Sequence, residues 1–133
     1  MKTTRILAAA LLIIGSGLAL HDAQAQQQGL HRTDLLQNDI SVSGHEVVQV
    51  RVDFEPHAVS IKHSHPGEEI AYVLEGLLEY QVGDRQPITL KAGETLFIPA
   101  GVAHLAKNVG NGKASELATY IVKKGAPLVA PAE

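Results

Sequence analysis

From residue 44 onward, apolar and polar side chains alternate with the period of an extended chain. Val48, Val50, Val52 and Phe54 fall on one side and Gln49, Arg51 and Asp53 on the other, as in a strand with one buried face. Val59, Ile61, His63 and His65 share the next face. Since Val59 and Ile61 mark that face as the buried one, the two histidines are expected to point inward. An apolar run from Ile70 to Leu74 closes at Glu75-Gly76. Leu78, Tyr80 and Val82 alternate with Glu79 and Gln81 before Gly83-Asp84 turns the chain. Shorter strands are expected over 88–90, 95–98 and 102–106, and a last one over 117–122. Ala92-Gly93, Pro99-Ala100-Gly101 and the loop Val109-Gly110-Asn111-Gly112-Lys113 supply the turns. About eight short strands at this spacing, with no amphipathic helical period, predict an all-β antiparallel sandwich or barrel in one domain. The segment 26–43 is polar and ambiguous, the barrel is expected over 44–122, and the tail 123–133, with Pro127 and Pro131, is expected to be loose.

Residues 1–25 have a different texture. Lys2 and Arg5 precede an apolar stretch from Ile6 to Leu20, and Ala23-Gln24-Ala25 places small residues around one position. That order is the order of a secretory signal peptide, with cleavage expected after Ala25. The apolar stretch is shorter than the ~20 residues a bilayer span requires. The expected location is therefore secreted or periplasmic, with no membrane association after cleavage.

Composition narrows the function. The 133 residues are 45% hydrophobic and 19% charged, with a formal net charge of −3, too apolar for a disordered chain. The slight acidic excess, the absence of Trp and the scarcity of Phe and Tyr argue against a nucleic-acid partner. The chain has no cysteine, so an exported form has to be held by its core and by any bound metal.

The chemistry concentrates in His63-Ser64-His65-Pro66-Gly67-Glu68-Glu69. Residues i and i+2 of a strand share a face, so His63 and His65 can set two imidazoles side by side. In a chain with seven histidines that spacing alone is a weak signal. The Pro66-Gly67 turn returns Glu69 to the same side, and Pro99-Ala100-Gly101 leads into a strand carrying His104. Three imidazoles and one carboxylate facing one interior suit a first-row transition metal. Unligated polar groups are the competing reading. His31, His45 and His57 read as surface histidines, Glu68 as a solvated neighbour of Glu69, and Tyr72 as packing. Glu55 with His57 is a weaker acid–base pair for the barrel mouth.

These residues carry a family resemblance. His63, His65, Glu69 and Gly76 resemble the first cupin motif, and Gly93, Pro99, Gly101, His104 and Asn108 resemble the second. Both motifs lie within 63–108, and the flanking strands extend the likeness to about 44–122. One position departs. The family often has Gly six residues before the first histidine, where this chain has His57 beside the turn-forming Pro56. The resemblance implies a small jelly-roll β-barrel of the bacterial single-domain kind. It implies His63, His65, Glu69 and His104 as ligands of one divalent transition metal: Fe, Mn, Ni, Cu or Zn. It also implies a homodimer, which an exposed sheet edge favours on physical grounds. Asn108 reads as structural.

A fold of many functions does not select the chemistry. A metal-dependent oxygenase, acting as an oxidoreductase of dioxygenase type, is the first expectation. Glu69 would then be a ligand able to detach and act as the catalytic base. A non-redox isomerase or lyase using the metal as a Lewis acid is the second. An exported protein that binds a small molecule or metal without turnover is the third. Each expects a small organic molecule in the barrel.

Overall fold

The computed structural model describes residues 27–133; the export signal expected over residues 1–25 lies outside the described residues. Ten strands follow one another: β1 (Leu30–Asp39), β2 (His45–Phe54), β3 (His63–Ser64), β4 (Gly67–Glu75), β5 (Leu77–Val82), β6 (Ile88–Lys91), β7 (Thr95–Ile98), β8 (His104–Asn108), β9 (Ala114–Lys123) and β10 (Ala130–Pro131). There is no helix among the described residues. The strands form two antiparallel five-stranded sheets, β1-β2-β9-β4-β7 and β10-β3-β8-β5-β6. From β3 onward the chain crosses between the sheets at every connection except the β5–β6 hairpin. The result is an antiparallel barrel, as the alternation pattern predicted, and a jelly roll, as the motif resemblance implied.

The two-residue period sets the core between the sheets. Val50, Val52, Phe54, Ala71, Val73, Ala118 and Tyr120 point in from the first sheet. Leu78, Tyr80, Val82, Leu90 and Ala106 meet them from the second, and all are buried. Register then orders the interior into rows. On the first sheet Glu69 lies opposite Tyr120, Ala71 opposite Ala118 and Val73 opposite Glu116. On the second, Val82 lies opposite His104, Tyr80 opposite Ala106 and Leu78 opposite Asn108. Successive rows are separated by about 6.6 Å, two residues of strand rise. Polar groups occupy the outermost of these rows, and the apolar core fills most of the rest.

Two segments read as peripheral are part of the sheets. The polar stretch before residue 44 contributes β1, which pairs along β2 with Leu30 opposite Phe54 and Arg32 opposite Val52. The alternation is hidden there because inward positions 32 and 34 are Arg and Asp. The tail is not loose either. Ala130 and Pro131 pair with Ser64 and His63, and Ala132 N–H donates to the Lys62 carbonyl at 2.9 Å. Its prolines lack N–H groups, which suits a short edge strand.

The approach to the first motif also differs from the pattern. Val59 and Ile61, expected on the buried face, are 43% and 46% exposed, while Ser60 is buried. Ser60 N–H donates to the Ala106 carbonyl at 2.8 Å, and its hydroxyl accepts from Ala106 N–H at 2.9 Å. That anchor and the irregular backbone over 60–62 change the phase, so the histidines turn inward although the valine and isoleucine do not.

Three motif residues have local reasons. Gly76 has φ of 76° and a Cβ there would stand 2.6 Å from the Lys113 carbonyl oxygen, so only glycine fits the corner. His57 adopts φ of 65°, the left-handed conformation a glycine would take without cost. That explains why the family often has glycine at this position; the imidazole itself is exposed. Asn108, fully buried, donates through Nδ2 to the carbonyls of Gly112 at 2.8 Å and Glu55 at 3.1 Å. Its Oδ1 accepts from Gly110 N–H at 2.9 Å. It ties the end of β2 to the loop before β9, as its structural reading required. Replacing it strands several buried backbone groups at once. We expect Asn108→Ala to lower stability by about 2–3 kcal/mol, read as a urea midpoint shift at unchanged slope; a shift within error would contradict this role.

Candidate metal centre

His63 and His104 face each other across the β3–β8 pairing, and His65 follows two residues after His63. Gly101 N–H donates to the His65 carbonyl at 2.9 Å, fastening the first motif to the turn of the second. β4 then carries Glu69 in from the other sheet. A Cβ at Gly67 would stand 2.0 Å from the Ile121 carbonyl oxygen, so the glycine lets β4 lie close against β9.

The three imidazoles pack with ring centroids 4.4–5.0 Å apart. Each uses Nδ1 toward a backbone carbonyl: His63 to Ile61 at 2.8 Å, His104 to Val102 at 2.9 Å and His65 to Leu128 at 2.6 Å. These contacts make Nδ1 the protonated nitrogen in each neutral ring, which leaves the Nε2 lone pairs free to converge. One nitrogen from each ring lies within 4.8 Å of the others. Glu69 Oε2 sits 2.9 Å from His65 Nε2 and 3.1 Å from His104 Nε2. The His65 contact lacks hydrogen-bond geometry, and both His65 Nε2 and Glu69 Oε2 are buried without a hydrogen-bond partner. Orphaned lone pairs aimed at one point are costly unless a cation fills the point. The His63, His65 and His104 cluster fits a divalent metal, and Glu69 offers an oxygen beside it.

Burial and charge split the titrations. Burial lowers His63 to about 4, keeping its ring neutral at physiological pH. Burial also opposes ionisation of Glu69, yet the His104 and His65 imidazoles outweigh it and hold the carboxyl near 2. Burial lowers His104 as well, but Glu69 beside it and the Val102 carbonyl overcome this and raise it above its ordinary value.

The cluster opens into a cavity of about 550 Å³. Its wall includes Arg32 and Asp34 of β1, Tyr80 of β5, Glu116 and Tyr120 of β9, and Val129 of the tail. The Tyr120 ring lies 4.6 Å from His65. One row deeper, Tyr80 donates its hydroxyl to Glu116 Oε2 at 2.5 Å, joining the two sheets. Sequence reasoning had assigned neither Glu116 nor the tail to the site. Glu116 carried a legible signal, since Ala114, Glu116, Ala118, Tyr120 and Val122 form the apolar phase of β9 and one of them is an acid. The Leu128 carbonyl carried none, because any residue has one.

Of the other candidates, His31 and His57 are exposed and His45 is half-buried. His45 Nδ1 contacts the Ser43 carbonyl. Glu55 approaches His31, at 3.8 Å, and Lys113, at 3.4 Å, rather than forming the pair expected with His57. Tyr72 is 43% exposed, on the outer sheet face.

Two outcomes follow for solution. His104→Ala should lose at least tenfold in affinity for a divalent metal and lose the metal-dependent rise in melting temperature. Unchanged metal content would contradict the assignment. The raised His104 holds its proton to higher pH than a free imidazole, and a metal must displace it, whereas the lowered His63 carries none near neutrality. Calorimetry in buffers of different ionisation enthalpy should therefore show proton release on metal uptake at pH 6.5 that declines as pH rises. A buffer-independent heat would be incompatible with this.

Comparison with known proteins places the geometry in a wider group. The cupin domain profile matches residues 50–126, more than half of the chain. Germin-like protein subfamily 2 member 2 of Arabidopsis thaliana is 35% identical over 88 residues, covering 62% of this chain and 38% of that protein. The chain spans little more than a third of the length of such curated relatives. Among solved structures, an oxalate oxidase in complex with glycolate aligns with TM-score 0.63 and 27% identity, over 80% of this chain and 56% of that one. An uncharacterised double-stranded β-helix protein of Klebsiella pneumoniae aligns with TM-score 0.65 and 25% identity, over 78% and 84%. With both motifs, the jelly roll and the histidine cluster in register, this chain belongs to the cupin family.

Proposed function

We propose that this protein is a metal-dependent enzyme acting on a small organic substrate in the barrel, first as an oxidoreductase of dioxygenase type. The observation that carries the reading is the convergence of three imidazoles and one carboxylate at the wall of a cavity. His63, His65, His104 and Glu69 would hold one divalent transition metal, Fe, Mn, Ni, Cu or Zn, at the wall of a cavity with room for a small substrate. The metal would supply redox or Lewis-acid chemistry when bound.

The residues of the chain do the rest. The Ile61, Val102 and Leu128 carbonyls hold the three rings in their metal-binding tautomer. Glu69, anionic at neutral pH, offsets part of the cation's charge and can accept a substrate proton. Apolar groups such as Phe54, Val52 and Leu30 line the cavity and limit water near the site. The likeness to germin-like proteins and to an oxalate oxidase supports an oxidative reading. A non-redox isomerase or lyase is favoured by a different observation, the Glu116–Tyr80 pair in the same cavity. A binding protein without turnover is the third outcome.

Export, as a secreted or periplasmic protein, is part of the proposal, supported by the residue order over 1–25. So is a homodimer. Ile70 and Phe97 are cross-strand neighbours, and with Tyr72 and Leu74 they expose an apolar stripe on the outer face of the first sheet.

The test begins with elemental analysis of protein purified from its native compartment, beside the His63→Ala/His104→Ala double variant. About one equivalent of a redox-active metal is expected in the wild type, with little in the variant. The loaded protein should then consume oxygen with a member of a catechol, flavonol and β-diketone panel. Metal without oxygen uptake would sink the dioxygenase reading and favour Lewis-acid chemistry. Absence of metal even after reconstitution would leave a ligand-binding barrel.

A further inference from the structure

The metal reading leaves one buried acid unused. Glu116 is 5% exposed, yet it shares the cavity wall with His63, Glu69 and His104. Its place follows from register. Glu69 faces Tyr120 across β4 and β9, and Glu116 stands two inward rows deeper on β9, about 13 Å along the strand. Tyr80 stands one inward row below His104 on the opposite sheet. The hydroxyl of Tyr80 therefore reaches across the barrel to Glu116 from a level between that carboxyl and the cluster.

An acid at this position has a cost that packing alone does not offset. The apolar phase of β9 would accept Val or Leu at 116, as it accepts Val122. Buried carboxyls without a full set of partners destabilise a core. Placed on a cavity wall beside a metal-binding cluster, the same carboxyl can meet a bound molecule.

We propose that Glu116, aligned by Tyr80, is a second proton-transfer group of the site, exchanging a proton with a 2-oxo acid held at the histidine cluster. This rests on the metal reading above and deepens its Lewis-acid branch. A 2-oxo acid fits because its carboxylate and keto oxygens would chelate a metal held by the histidines, in the same cavity whose wall includes Glu116. The step balances without an oxidant. A C3–H bond breaks and its proton forms an O–H bond on the Glu116 carboxylate. The C–H electron pair becomes the C2–C3 double bond, and the carbonyl π pair moves onto the keto oxygen. Reversal returns a proton to C3.

Charge in the cavity supports this role. Burial and the charge of Glu69 on β4 raise Glu116 to about 7. The Tyr80 hydroxyl on β5, Arg32 on β1 and His104 on β8 oppose the rise. At neutral pH Glu116 thus populates both forms. A dication beside Glu69 counters the charge that raises Glu116, so loading should move its titration downward.

The experiment uses the full protein reconstituted with Mn(II), with 2-oxobutyrate as the probe and loss of its C3 proton signal in D₂O followed by NMR. Metal stoichiometry is measured on every sample. Loaded wild type should exchange faster than metal-free protein and than Mn(II) in buffer, with a rate that rises through one inflection near or below neutral pH. Glu116→Gln, which keeps an acceptor for Tyr80, should retain metal and melting temperature and lose about 100-fold in exchange rate. Tyr80→Phe should exchange with its inflection displaced, as expected of a positioning residue. Exchange in Glu116→Gln at the wild-type rate, a flat pH profile, or loaded wild type no faster than free Mn(II) would each overturn the proposal. Failure to take up any metal would instead overturn the underlying metal reading, and this inference would fall with it.

Discussion

The tautomer of three histidines is the constraint on which the site depends. A neutral imidazole offers one lone pair, and which nitrogen carries it is decided by the hydrogen bond at the other. Here three backbone carbonyls make that decision, from Ile61, Val102 and Leu128. Two of them belong to residues just before their own histidines, so their contact is local. The third comes from the tail, 63 residues away. The tail is thereby more than a cover: it completes the orientation of His65 and contributes Val129 and Pro131 to the cavity wall.

The jelly roll suits this task because its connections cross between sheets. His63 and His104 come from one sheet and Glu69 from the other, so a cation bound between them would also join the two layers. The Glu116–Tyr80 hydrogen bond makes a second bridge, deeper in the same barrel. The two centres have opposite electrostatics. Imidazoles hold Glu69 as an anion at the upper level, while burial and that anion favour a proton on Glu116 below. A barrel whose interior were only apolar would be more stable, and the retained polar groups are what single this site out as the functional candidate.

Much of this was legible in residue order. A two-residue period yields strands, and turn residues such as Gly76, Gly93 and Gly101 mark their ends. His63, His65, Glu69 and His104 are recognisable because their residue types and spacing recur together, and the structure brings all four to one point. Asn108 likewise announced a structural role through its motif. Local rules sufficed because these positions depend on strand phase and on turns of a few residues.

What lay beyond the sequence depended on contacts distant along the chain. β1 was obscured because Arg32 and Asp34 occupy inward positions at a cavity wall, where burial is incomplete and polarity is tolerated. Val59 and Ile61 suggested the right face for the histidines for the wrong reason, since the Ser60 anchor to Ala106 shifts the phase between them. The tail looked loose because a two-residue strand and a backbone carbonyl leave no side-chain signature. Glu116 stood in plain view on an apolar phase, but its tie to Tyr80 exists only once the sheets face each other. The sequence by itself determined the strands, their turns and the residue types able to ligate a metal, because those follow from local periodicity and donor chemistry. Tertiary structure alone decided which nitrogen each histidine presents, which carboxyl stays ionised and what closes the cavity, because hydrogen bonding and burial at those groups are set by partners from across the barrel.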